Sequence, residues 1–421
     1  MKKVLFSVLV VLLAAGCAVF LFPGKTGTDQ YVSGDYRFTI LGDDTVAVTR
    51  YSGKAGTVSI PDTLDSRRVT AIGDSAFSLC TNIEEVIIPD GVVRIGKNAF
   101  ACCPFLVSVT LPEGLESIGE NAFDCCDSLA SITIPDSVTD IGESAFIYCD
   151  SLASVTLPSG LTRIREQTFF GCASLDHVTI PDRVTEIETS AFYNCSSLTD
   201  IRIPDAVTSL GQCAFFGCSR LASVTIPDSV TEIKGNPFIK CRQLTAIVVS
   251  PEHPTLYSTD GVLFSREDHC LTAYPGGRPA ASYDVPEGTW SIGDVAFYDC
   301  TSLESVTFPN GLTGIGDQSF SGCTSLASVT FPEGVESIGA CAFFDCRSLG
   351  AVRFPESLQS IGRNAFTGCS SLMSAAIPAG VTDIGNDAFS RCDLLAATVP
   401  ADSFAAAYCE ANGIIVYTYS D

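Results

Sequence analysis

A cysteine returns every 23 residues along most of this chain. It stands at Cys80, Cys103, Cys126, Cys149, Cys172, Cys195, Cys218 and Cys241, and again at Cys300, Cys323, Cys346, Cys369 and Cys392. Nothing else in the sequence restricts the fold as strongly. A fixed period of about 20–30 residues describes stacked units, none of which can bury its apolar face alone. The stretch from Asp127 to Cys149, D-S-L-A-S-I-T-I-P-D-S-V-T-D-I-G-E-S-A-F-I-Y-C, can stand for all of them. Ile132 and Ile134 alternate with Ser131 and Thr133, the pattern of a strand with one buried face. Pro135 has no N–H for a ladder and ends that strand, and Asp136-Ser137 is turn chemistry. Val138 and Ile141 point inward from a second short extended piece, after which Gly142 lets the chain turn. The closing segment, 143–149, is too short for a regular helix and reads as a helical or 3₁₀ turn that buries Phe146. Repetition should then stack Phe77, Phe100, Phe123, Phe146, Phe169 and Phe192 in an internal column.

The period also bears on the cysteines. The chain has twenty, and thirteen of them occupy one equivalent site per unit. Side chains at such a site point the same way about 4.8 Å apart, so the expectation is a buried column of reduced thiols. Cys102 and Cys125 are separate from this column but equivalent to each other one unit apart, so a disulfide between them is conceivable. Cys213 and Cys341 each precede a column cysteine by five residues. No Cys/His spacing resembles a zinc site, and neither a metal nor a cofactor is expected.

The unit L-x-x-V-x-I-P…I-G-x-x-A-F-x-x-C resembles the BspA-type leucine-rich repeat of bacterial surface proteins, from about Tyr36 to the C-terminus. The resemblance implies a repeat solenoid, a β-rich right-handed stack of short strands and helical turns capped at both ends. It also implies surface adhesion or host-protein binding, with no catalytic residues. With about 14 units at ~4.8 Å each, the stack would be roughly 70 Å long.

Around the repeats the chain divides as follows. Residues 1–22 read as a targeting segment, in which Lys2 and Lys3 precede an apolar run from Val4 to Phe22. Gly16-Cys17 within it resembles a bacterial lipoprotein lipobox, which would make Cys17 the site of lipid attachment. Ala14 stands where leucine is usual and the apolar run continues past Cys17, so an uncleaved anchor stays open as the alternative. Residues 23–35 read as a linker. Residues 36–68 read as an N-terminal β cap, with Tyr36, Phe38 and Ile40 on one arm of a hairpin and Val46 and Val48 on the other. Repeats occupy 69–249 and 287–399, separated at 250–286 by a degenerate repeat or insert with strand-like pieces at 261–264 and 270–274. Residues 400–421 read as a second cap, a helix N-capped by Asp402-Ser403 and stopped at Asn412-Gly413, then a strand. Any membrane attachment is expected at the N-terminus.

The outward positions say less. Net charge is −24, which disfavours nucleic acid and anionic membrane surfaces as partners. Outward strand residues are mostly Ser and Thr, except that His177, Asp200 and Arg202 fall at equivalent or adjacent sites in neighbouring units. These three are a candidate polar binding spot. The residue after the core Phe is aromatic in Phe170, Tyr193 and Phe216, which is either a binding ridge or outer-layer packing. Acidic residues after the strand-ending proline, such as Asp90, Glu113 and Asp136, follow from turn preference. The expected function is that of an exported cell-surface protein, membrane-anchored at its N-terminus, that binds surface or extracellular-matrix proteins, or glycans, through the solenoid. The alternative is a structural spacer of the cell envelope. Enzyme activity is not expected; if it existed, the 250–286 insert would be its place.

Overall fold

The computed structural model describes residues 30–42 and 44–419, so Cys17 and the apolar segment around it lie outside the described residues. The chain winds into a β-solenoid of about 16 turns. Most units contribute to two parallel ladders in a register equal to the sequence period. In the first ladder, Ser131, Ile132 and Thr133 lie beside Ser154, Val155 and Thr156. In the second, Ser117 and Ile118 lie beside Asp140 and Ile141. Between them, Gly142 lies so close to the preceding unit that a Cβ there would overlap the backbone of Gly119 and Glu120.

The third side of each unit differs from the helical turn expected for 143–149. It is a run of tight turns, with the N–H of Ala145, Ile147 and Cys149 donating to the carbonyls of Gly142, Ser144 and Phe146. Ser144 (φ 55°) and Tyr148 (φ 56°) are left-handed, which no α- or 3₁₀-helix accommodates. The same two sites are left-handed along the stack, at Asn121 and Cys125 in the preceding unit and at Gln167 and Gly171 in the following one. This conformation turns alternate N–H groups toward the next unit, where Phe146 donates to Thr168 and Tyr148 to Phe170.

The core follows the expected columns. Phe123, Phe146 and Phe169 are fully buried. Phe146 lies 5.3 Å from Phe123 and 5.6 Å from Phe169, stacked nearly parallel to both. Tyr51 takes the phenylalanine place at the N-terminal end, stacked 5.1 Å from Phe77, and Tyr274 takes it in the insert, 4.8 Å from Phe297. The described cysteines are thiols. The Sγ–H of Cys149 donates to the carbonyl of Phe123 at 3.1 Å, and ten other column cysteines make the same bond 26 residues back. The cysteine is therefore both a small apolar filler and a donor joining consecutive units. Burial pushes the column thiols from Cys103 to Cys346 up, that of Cys103 to about 12, whereas the hydrogen bond between Cys369 and Cys392 lowers that of Cys392.

At the N-terminus, β1 (Tyr31–Ser33), β2 (Tyr36–Gly42) and β3 (Thr45–Tyr51) form an antiparallel meander, and β3 then opens the second ladder. The hairpin is the one expected; β1 lies in residues assigned to the linker, where Tyr31 stacks on Phe38. At the other end α1 (Phe404–Ala411) is N-capped by Ser403, whose side chain accepts from the Ala406 N–H, and the strand Ile415–Tyr419 closes the first ladder. Among the described residues no helix is long and apolar enough to cross a membrane.

The insert divides the interior in two. Strands Leu256–Thr259, Val262–Ser265 and Cys270–Ala273 form an antiparallel layer set into the stack. Leu263 and Ala273 face the core that begins at Phe38, and Val262, Phe264 and Leu271 face the core that runs to Cys409. A continuous apolar V-L-F run fits a strand buried on both faces. On the turn side the stack passes directly from one block to the next. There Asn236 Nδ2 donates to the Val295 carbonyl at 3.2 Å and Arg242 to Asp299 at 2.8 Å.

Candidate functional site

The inward residues are nearly the same in every unit, so any site must be built from outward departures. His177 opens a short strand beside Ser154, and Asp200 lies in the next unit, where no described strand continues that ladder. The two meet loosely, with His177 Nδ1 3.8 Å from Asp200 Oδ1 and both side chains more than half exposed. Arg202 does not join them. Its guanidinium bonds Asp182 at 2.7 Å and lies 3.8 Å from Asp205. The guanidinium reaches back to the turn carboxylate of the unit that carries His177, a pairing that strand spacing alone does not reveal. Ser154, Thr156, His177, Thr179, Asp182 and Arg202 line an open groove of about 660 Å³. Thr179 Oγ1 lies 3.5 Å from His177 Nε2, a long contact between exposed side chains, and the groove as a whole presents a polar contact surface.

Phe170, Tyr193 and Phe216 come together as a column. Consecutive rings lie 4.3 Å apart and 1° from parallel. Tyr148 packs edge-on against Phe170 at the lower end, and Lys240 Nζ lies 5.5 Å from the Phe216 centroid and 5.6 Å from that of Tyr298 at the upper end. The rings are half-buried. Their faces are thus covered by one another, and what they present outward is ring edges and the Tyr193 hydroxyl. Sugars stack on ring faces, whereas protein side chains pack well against such a ridge.

A third departure lies on the second ladder and escaped the sequence reading. The column glycine is replaced by Arg165, Glu188 and Lys234. Arg165 bonds Asp140 at 2.8 Å, and Arg163 lies 3.6 Å from Glu186 and 3.8 Å from Glu188. Glu166, Glu186, Glu188 and Lys234 line a cleft of about 200 Å³. Burial, with Glu143 and Glu188 nearby, pushes the Glu166 carboxyl up. The available signal was the loss of glycine from a position where a Cβ elsewhere meets backbone. The acidic turn residues, in contrast, act within the stack. Asp136 Oδ1 accepts the Ser159 N–H at 2.8 Å and Glu333 accepts that of Glu356 at 3.1 Å, and the first of these bonds holds the Asp136 carboxyl below its usual range.

A search of curated proteins finds no match. Among solved structures, a leucine-rich cell-surface protein from Faecalibacterium prausnitzii is similar at 30% identity and a TM-score of 0.70, over 92% of this chain and 98% of that one. A leucine-rich repeat protein from Bacteroides ovatus aligns at 27% identity and a TM-score of 0.58, over 93% and 100% of the two chains. The pneumococcal vaccine antigen PcpA shares the fold at 20% identity and a TM-score of 0.56, over 94% and 99%. The model of the BspA type leucine-rich repeat region matches residues 54–175, 141–259 and 290–408. By its repeats, thiol column and relatives, this chain belongs to the BspA-type leucine-rich repeat family.

Proposed function

We propose that this is an exported surface protein that binds protein partners through the units between Asp150 and Cys241. The observation that carries this reading is a coincidence of position. The polar groove at His177 and Arg202, the aromatic ridge of Phe170, Tyr193 and Phe216, and the charged cleft at Glu166 and Lys234 all fall in these units. Elsewhere the outward strand residues are chiefly Ser and Thr. A ridge with covered ring faces favours a protein over a glycan. The similar Faecalibacterium chain is described as a cell-surface protein, which supports display outside the cell. In this reading a lipid on Cys17 tethers the solenoid; mass spectrometry of the mature N-terminus tests that part, and a chain still starting at Met1 rules it out.

The binding reading is tested by screening the chain from Tyr31 onward against extracellular-matrix and bacterial surface proteins, with a glycan array alongside. A saturable protein ligand should be lost when Phe170, Tyr193 and Phe216 are changed together to Ser, and weakened by Arg202→Ala. Unchanged binding by the triple variant in a protein that melts normally would move the site elsewhere.

A further inference from the structure

We propose that Cys102, Asp124 and Cys125 form a binding site for a thiophilic divalent cation, of which Zn²⁺ is the natural example. One ligand atom from each of these residues lies within 4.8 Å of the other two. A tetrahedral zinc with two thiolates and a carboxylate sets these atoms roughly 3.5–3.8 Å apart, given Zn–S near 2.3 Å and Zn–O near 2.0–2.2 Å. Side-chain rotation of the half-buried groups covers the difference. The spacing escapes a sequence scan because the ligands come from two units, with Cys102 in one and Asp124 and Cys125 in the next.

The backbone does not call for these residues. Cys102 (φ 57°) and Cys125 (φ 53°) occupy the second left-handed site of their units. Gly171, Asn194 and Gly217 occupy the same site further along, and glycine and asparagine are the residues this conformation favours. Leu79, Tyr148 and Lys240 also stand at this site, so it tolerates many side chains, and two adjacent cysteines there are a matter of side-chain chemistry and not of backbone demand. Asp124 is equally unexpected. It fills the place held by Ile147, Phe170 and Tyr193 in the next three units, and burial pushes its carboxyl up. The three departures fall at one point on the turn side, in the column that carries the aromatic ridge two units further along. Two soft sulfur ligands with one carboxylate select zinc-like ions over magnesium or calcium. Binding releases the protons of both thiols to solvent and leaves at least one coordination position for water or a ligand group from a partner.

Cobalt(II) reports such a site directly. The full chain, reduced and then freed of reductant and metal, is titrated with Co²⁺ and afterwards with Zn²⁺. The expected result is one Co²⁺ per chain, with a thiolate-to-cobalt absorption band in the near ultraviolet that Zn²⁺ abolishes. Cys102→Asn and Cys125→Asn place there the residue found at Asn194, so the fold should tolerate them; each should remove the band. Asp124→Asn should weaken binding on the order of tenfold or more. Cys213→Ser, a change at another half-buried thiol, should leave it intact. Zn²⁺ should also slow alkylation of Cys102 and Cys125 in the wild type, mapped by peptide mass spectrometry. The proposal is overturned by absence of the band, by its survival in both asparagine variants, or by alkylation that Zn²⁺ does not slow. It is likewise overturned if the protein as isolated holds Cys102 and Cys125 in a disulfide.

Discussion

Removing one ring from the phenylalanine column should unfold one half of this protein more easily than the other. Phe146 has no exposed surface and is sandwiched between Phe123 and Phe169. Phe146→Ala leaves a cavity between two rigid rings that belong to strand-locked units, so the site cannot collapse far. Truncation of a buried Phe of this kind costs about 3–5 kcal/mol. With a urea dependence of about 1–3 kcal/mol per molar, the midpoint of the affected transition should fall by roughly 1–5 M. In a solenoid whose stability is carried by neighbouring units, that loss stays local unless the core transmits it. Here the layer of Leu263 and Phe264 separates two cores, and Phe146 lies in the first. The single tryptophan, Trp290, lies beyond that layer, 4.1 Å from the His269 ring. Urea unfolding followed by far-ultraviolet circular dichroism should therefore shift markedly in Phe146→Ala, while Trp290 fluorescence shifts much less. Phe320→Ala, in the second core, should move the fluorescence transition instead. Equal shifts of both signals in Phe146→Ala would refute the division.

Other outcomes follow from the same geometry. His253 is 2% exposed, its Nδ1 accepts the N–H of Thr255 and Leu256, and its Nε2 faces the Pro227 carbonyl at 3.2 Å. This fixes a neutral ring, and burial lowers its proton affinity. The unfolded chain then binds the proton more readily, so stability should fall as pH drops through about 6.5 toward the lower folded value. His253→Gln should flatten that slope, and an unchanged slope would assign the acid sensitivity elsewhere. Native, metal-free protein treated with a thiol reagent at pH 8 should react first at half-buried Cys80, Cys102, Cys125, Cys213, Cys270 and Cys341. The buried column should react only as fast as the chain unfolds, and its immediate reaction would contradict the thiol-to-carbonyl ladder.

Much of this architecture could be read from residue periods. Phe146, Cys149, Ile132 and Ile141 each have a fixed offset within the unit, and a repeated offset means a shared environment. The turn side was misread because A-F-x-x-C looks like a short helical turn, and Ser144 and Tyr148 are not residues usually assigned to left-handed backbone. Gly171, Gly217 and Asn194 at the second site carried that information. The departures in the outward face were visible as departures, but their partners were not. Arg202 reaches Asp182 instead of Asp200 because a long flexible stem finds whichever carboxylate its unit twist brings near. The charged cleft required seeing that Arg165, Glu188 and Lys234 replace a glycine, and the thiol–carboxylate cluster required knowing that the second left-handed site of one unit lies beside that of the next.

The cysteine bond has a consequence for how such a chain changes over generations. Each thiol meets a carbonyl 26 residues earlier, which is one period plus three, and each strand pairs one whole period away. Loss or gain of any 23-residue segment therefore leaves every remaining donor opposite an equivalent acceptor, wherever in a block the segment begins. Unequal exchange between near-identical coding segments would lengthen or shorten the solenoid without producing a misfolded intermediate form. Reach becomes a quantity that can drift in whole-unit steps, while the two caps and the dividing layer, which have no second copy to replace them, are the parts that selection has to keep.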